Sequence, residues 1–97
     1  MKPTIADGLA GNLEPGSRTF AHVSELADRV VLVAEGSIEV AMKDLIRRER
    51  LVAEGASATA VGALLQGGLD LAGRRVGVIL TGRNVDGEIL TRLFSGR

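Results

Sequence analysis

The stretch Arg74-Arg75-Val76-Gly77-Val78-Ile79-Leu80-Thr81-Gly82-Arg83-Asn84-Val85-Asp86 decides how this chain is read. Val76 to Leu80 carry no polar alternation, the pattern of a parallel strand covered on both faces by helices. The run stops at a hydroxyl, a glycine and two polar side chains. In open α/β sheets ligands sit beyond the carboxyl ends of the strands, so Thr81 to Asp86 become the candidate site. On the residues alone, the favoured reading of Thr81 is a β-branched residue that merely ends the strand.

Working outward, Arg29-Val30-Val31-Leu32-Val33-Ala34 is the second strand candidate, β-branched and stopped by Glu35-Gly36. Before it, Ser17 is a candidate N-cap for a helix reaching about Asp28, with Phe20, Val23 and Leu26 on its apolar face. After it, Ser37 caps a helix to about Arg50, with Ile38, Ala41, Met42, Leu45 and Ile46 inward and the pairs Glu39–Lys43 and Asp44–Arg48 outward. The small-residue run Glu54 to Leu65, ended by Gln66-Gly67-Gly68, predicts a third helix. Gly55 and Gly62 each lower its propensity by about 1 kcal/mol relative to alanine. Close packing on a neighbouring backbone is the expected compensation. Asp70-Leu71-Ala72-Gly73 turns the chain into the opening strand, and Gly87 to Phe94 form a short last helix with Ile89, Leu90 and Leu93 inward.

The order is loop-α-β-α-α-β-α. It predicts an α/β fold, a partial parallel sheet with flanking helices and a right-handed crossover. Two strands cannot cover four helices, so either the fold has more strands than the pattern reveals or the chain is one part of a larger three-layer domain. Residues 1–16, punctuated by Asp7-Gly8, Gly11-Asn12 and Pro15-Gly16, read as a long loop that packs through Ile5, Leu9 and Leu13.

Composition narrows the chemistry. The 97 residues are 45% hydrophobic but only 2% aromatic, so Val, Leu, Ile and Ala must build the core. A formal net charge of +0 leaves no basic footprint for nucleic acid or an anionic membrane. The absence of cysteine removes disulfides, thiolate metal sites and a thiol nucleophile. Met1-Lys2-Pro3-Thr4 leads into Asp7-Gly8 rather than an apolar signal region, and no apolar run approaches the ~20 residues of a membrane span. A soluble, cytoplasmic chain without a metal site is the expectation. His22, the only histidine, has no partner at ligand spacing and reads as a surface residue.

Three segments carry a resemblance: Thr4-Ile5-Ala6-Asp7-Gly8-Leu9-Ala10, Leu51-Val52-Ala53-Glu54-Gly55-Ala56-Ser57-Ala58 and Leu80-Thr81-Gly82-Arg83-Asn84-Val85-Asp86. In this order they resemble the C-terminal part of the pyridoxal-phosphate-dependent threonine/serine dehydratases, the fold type II group that includes serine racemase and the tryptophan synthase β chain. The resemblance implies that residues 1–97 are a single partial domain, the C-terminal segment of a larger α/β enzyme domain. It implies that the Thr81 hydroxyl meets the pyridine nitrogen of pyridoxal phosphate, that Gly82 forms the turn beside it, that Glu54 lies near the cofactor, and that Asp7-Gly8 wall the substrate side. A neutral hydroxyl at that nitrogen leaves the ring unprotonated and moderates carbanion stabilisation, which suits β-elimination of a hydroxyl group. Glu54 has an equal bland role, an acid at the positive end of a helix. Arg83 departs from the usual Gly-Gly-Asn turn and would be strained if that position required positive φ. Asn84 is expected to tie the turn through its own backbone bonds.

The group also implies a reactive lysine in a Ser-x-Lys context and a glycine-rich phosphate loop. Neither is present: the lysines are Lys2 and Lys43, the latter on the charged face of its helix. No catalytic residue is therefore assigned in this chain. Two readings follow. One is a segment of a threonine/serine ammonia-lyase, acting on a hydroxy amino acid once a missing N-terminal segment or a homo-oligomer completes the site. The other is a non-catalytic remnant, a small self-associating or partner-binding module with Ala56 to Leu65 as its interface.

Overall fold

The computed structural model describes residues 4–6 and 16–95. Four helices follow one another: α1 (Arg18–Leu26), α2 (Glu35–Glu49), α3 (Gly55–Gln66) and α4 (Gly87–Leu93). No strand occurs among the described residues, so the expected α/β fold with a partial parallel sheet is wrong for this chain. The reason is pairing. A strand exists through ladder bonds to a neighbour, and no backbone hydrogen bond joins residues 29–34 to residues 76–80. Val30, Leu32 and Ile79 are left 77%, 91% and 81% exposed, where the unbroken apolar runs had implied cover on both faces.

The core lies where α2 meets α3. Ile38, Ala41, Met42 and Leu45 are buried at helical spacing, as the sequence predicts, while Ile46 is only half-buried. They pack with Ile5, Ala6, Ala53, Ala58 and, from α4, Leu93. Ile89 and Leu90 are half-buried beside them. The described part of the N-terminal loop is thus packed, whereas Asp7, Gly8, Leu9 and Leu13 lie outside the described residues.

Both glycines of α3 stand at close approaches. A Cβ on Gly55 would collide with the Ile5 carbonyl, and one on Gly62 would lie 3.2 Å from the Ser37 carbonyl oxygen and 3.3 Å from the Ile38 nitrogen. Backbone proximity offsets the low propensity that these residues bring to the helix.

Helix ends differ from expectation in instructive ways. Ser17 caps α1 by accepting the Phe20 N–H at 3.1 Å, but α1 ends at Leu26 and buries no residue. His22 is exposed. α2 begins at Glu35 with Ala34 as N-cap, three residues before the expected cap Ser37, and the Glu35 carboxylate anchors the N-terminal segment. It accepts Thr4 Oγ1 at 2.6 Å and the Ile5 N–H. An acid in a first turn is also favoured by the helix dipole. At the other end, Arg50 adopts φ 57; its N–H reaches back to the Ile46 carbonyl at 3.2 Å, and the Leu51 N–H to that of Leu45 at 3.0 Å. The two expected intrahelical ion pairs do not close; among the described residues Glu39 instead meets Arg92 of α4 at 3.7 Å. Gln66, the last residue of α3, clamps the unpaired 32–34 segment by donating to the Leu32 carbonyl at 2.9 Å and accepting the Ala34 N–H at 3.0 Å.

Candidate functional site

The turn Thr81–Gly82 rests on the N-terminus of α3. Glu54, the N-cap, donates its N–H to the Gly82 carbonyl at 3.0 Å, and the Thr81 N–H donates to Ser57 Oγ at 3.0 Å. Successive backbone groups of the turn are therefore held by residues three apart at one helix end. The Glu54 side chain makes no capping hydrogen bond. Its carboxylate lies against Gly82, in the space a Cβ would need. Only glycine can occupy position 82 while Glu54 keeps this pose.

Thr81 itself is exposed, and its hydroxyl makes no hydrogen bond among the described residues. It opens on a groove of about 560 Å³ walled by Leu51, Val52 and Leu80, with Gly82 and Arg83 at its edge. Apolar walls around a single hydroxyl suit a flat heteroaromatic ring with one acceptor nitrogen. A pyridine ring fits this donor set.

On the other side of the turn, Glu54, Asn84 and Asp86 line a second, more polar cavity of about 210 Å³. Thr81 and Glu54 are thus close along the fold yet open onto different cavities. Among the residues singled out from the sequence, Thr81, Gly82 and Glu54 come together, and Gly8 falls outside the described residues. Arg83 carries no left-handed strain, since Arg50 is the sole non-glycine with positive φ among the described residues. Asn84 makes no side-chain hydrogen bond among them, so the turn is tied by Glu54 and Ser57 instead. No described group of three or more His, Cys, Asp or Glu side chains could hold a metal.

Ser57 was not among the sequence candidates. It is 8% exposed, the one buried polar side chain among the described residues. A signal was present: a hydroxyl three residues after Glu54, between Ala56 and Ala58.

Comparison with known proteins identifies a family. The family described as pyridoxal-phosphate dependent enzyme matches residues 1–82. An L-threonine ammonia-lyase of Thermotoga maritima is 38% identical over 94 residues, which is 97% of this chain and 23% of that protein. The catabolic L-threonine dehydratase TdcB of Staphylococcus aureus N315 is 42% identical over 93 residues, 93% of this chain and 26% of its own length. The chain therefore spans about a quarter of the length of these curated relatives. No solved structure matches it significantly. With its match to the family over most of its length, and its similarity to threonine dehydratases from end to end, the chain belongs to the pyridoxal-phosphate-dependent enzymes.

Proposed function

We propose that this chain supplies the ring-nitrogen side of a pyridoxal phosphate site in a cytoplasmic threonine/serine ammonia-lyase, as its C-terminal segment, and is not catalytic alone. The observation that carries the reading is the Thr81 hydroxyl, exposed and without a hydrogen-bond partner among the described residues, on a backbone held from α3. When bound, the cofactor withdraws electrons from the substrate's α-carbon so that the β-hydroxyl can leave.

The part played by this chain is one of holding. Thr81 Oγ1 donates to the ring nitrogen, and a neutral donor leaves that nitrogen unprotonated. Leu51, Val52 and Leu80 would give the ring apolar surroundings. Gly82 lets Glu54 approach the turn, and Glu54 with Gly8 completes the cofactor surroundings. None of the described residues lining the groove is a lysine, and in this reading the reactive amine is supplied by a preceding segment or another subunit. The two relatives are named for L-threonine, and a hydroxy amino acid is the substrate class in this reading.

The test is complementation. Mixed with pyridoxal phosphate and the remaining portion of a relative, the chain should restore the absorption of the bound cofactor and release a 2-keto acid. Thr81→Ala should weaken the cofactor signal without unfolding the chain. A folded mixture that shows no cofactor signal, or a Thr81→Ala variant that binds unchanged, would sink this reading.

The alternative is a non-catalytic binding module with Ala56 to Leu65 as its interface; of that span Ser57, Ala58 and Gly62 are buried within this chain, while Leu64 and Leu65 are exposed. Its support is now the apolar face of α1, where Phe20, Val23 and Leu26 are 43%, 36% and 76% exposed. A well-behaved monomer in sedimentation would count against a self-associating role.

A further inference from the structure

We infer that Ser57 is the positioning residue for the Thr81 hydroxyl. The inference rests on the reading of Thr81 as the ring-nitrogen donor, and adds which group of this chain aims it. Two hydrogen bonds bracket Thr81: its own N–H is held by Ser57 Oγ, and the carbonyl of the next residue, Gly82, by the Glu54 N–H, each at 3.0 Å. The peptide plane that enters Thr81 is thus held by Ser57 and the plane that leaves Gly82 by Glu54, both on the first turn of α3. A β-branched side chain has few χ1 choices, so fixing the backbone largely fixes the hydroxyl.

The Glu54 bond uses only main chain, and any residue but proline could make it. The Ser57 bond needs a side-chain acceptor at that one position. Because Ser57 is buried, no solvent replaces its oxygen when it is removed. α3 in turn is seated on fixed neighbours, with Gly55 against the Ile5 backbone and Gly62 against the start of α2. The frame of reference for Thr81 is therefore the best-packed part of the molecule. Packing alone would be served as well by alanine, the residue on either side of Ser57. Only the hydroxyl distinguishes a positioning role from space filling.

Ser57→Ala keeps a strong helix former in α3 and removes only the acceptor. In the isotope-labelled 97-residue chain, the Thr81 amide should exchange with solvent roughly tenfold faster, the effect of losing one hydrogen bond, while Ala58 to Gln66 keep their protection. In the complemented mixture, loaded with cofactor labelled at the ring nitrogen, the nitrogen resonance should move towards its position in Thr81→Val. Val61→Ala, which loosens α2–α3 packing without touching the turn, should leave that resonance in place. Ser57→Cys, with a weak sulfur acceptor, should fall between serine and alanine in both readouts. An unchanged Thr81 exchange rate in Ser57→Ala would overturn the inference. So would an unmoved ring-nitrogen resonance in Ser57→Ala when Thr81→Val shifts it, or an equal shift from Val61→Ala; either result leaves the Thr81 reading standing. If Thr81→Val does not shift the resonance, the Thr81 reading itself fails, and the inference falls with it.

Discussion

α1 and α2 are both amphipathic helices with correctly spaced apolar residues, and they meet opposite fates. α2 buries Ile38, Ala41, Met42 and Leu45 against α3 and Ile5, whereas α1 leaves Phe20, Val23 and Leu26 at the surface. The difference is not periodicity but a facing element. α2 has α3, whose Gly62 lets the backbones approach, and the segment 4–6 tied to its own first turn by Glu35. Nothing comparable among the described residues is brought to α1. An apolar stripe therefore states a demand for cover, and only non-local contacts say whether it is met.

Substitutions should separate the two regions by size of effect. Met42→Ala empties a site that is 1% exposed and should cost about 2–5 kcal/mol, read as a loss of urea midpoint with little change in slope. In a domain of this size that is a large share of total stability. Gly55→Ala comes next: the added methyl meets the Ile5 backbone, which cannot rotate away, and should cost ~1–3 kcal/mol despite alanine's better helix propensity. A stabilised Gly55→Ala chain would mean that the 4–6 segment does not rest on α3. Glu35→Gln removes the charge from the two bonds to Thr4 and Ile5, for ~1 kcal/mol, and should selectively raise amide exchange at Ile5. Smallest of all, Leu26→Ser on α1 should change stability by no more than ~0.5 kcal/mol. A cost near that of Met42→Ala would show that α1 is covered after all, and erase the contrast.

How far the sequence reaches differs between fold and site. The inward stripe of α2, the Ser17 cap and the close packing at Gly55 and Gly62 follow from spacing and from side-chain volume, which act within a few residues. The same reasoning misreads residues 29–34 and 76–80, because β propensity describes a surface that fits a neighbour without supplying one. In the site, Thr81, Gly82 and Glu54 could be chosen from motif order, and they do meet. Ser57 could not be ranked above its alanine neighbours until its partner, 24 residues away, was known.

By itself, then, the sequence determined which side chains need burial, where helices 2 to 4 run, and which polar residues end the stretch Val76 to Leu80. Tertiary structure alone decided which apolar runs find a partner, that Glu35 and Gln66 spend their side chains holding backbone, and that Ser57 and Glu54 grip the Thr81–Gly82 turn. The physical reason is range. Helical periodicity and capping are satisfied within a few residues of chain, whereas a strand or a buried hydroxyl is completed only by groups far away in sequence.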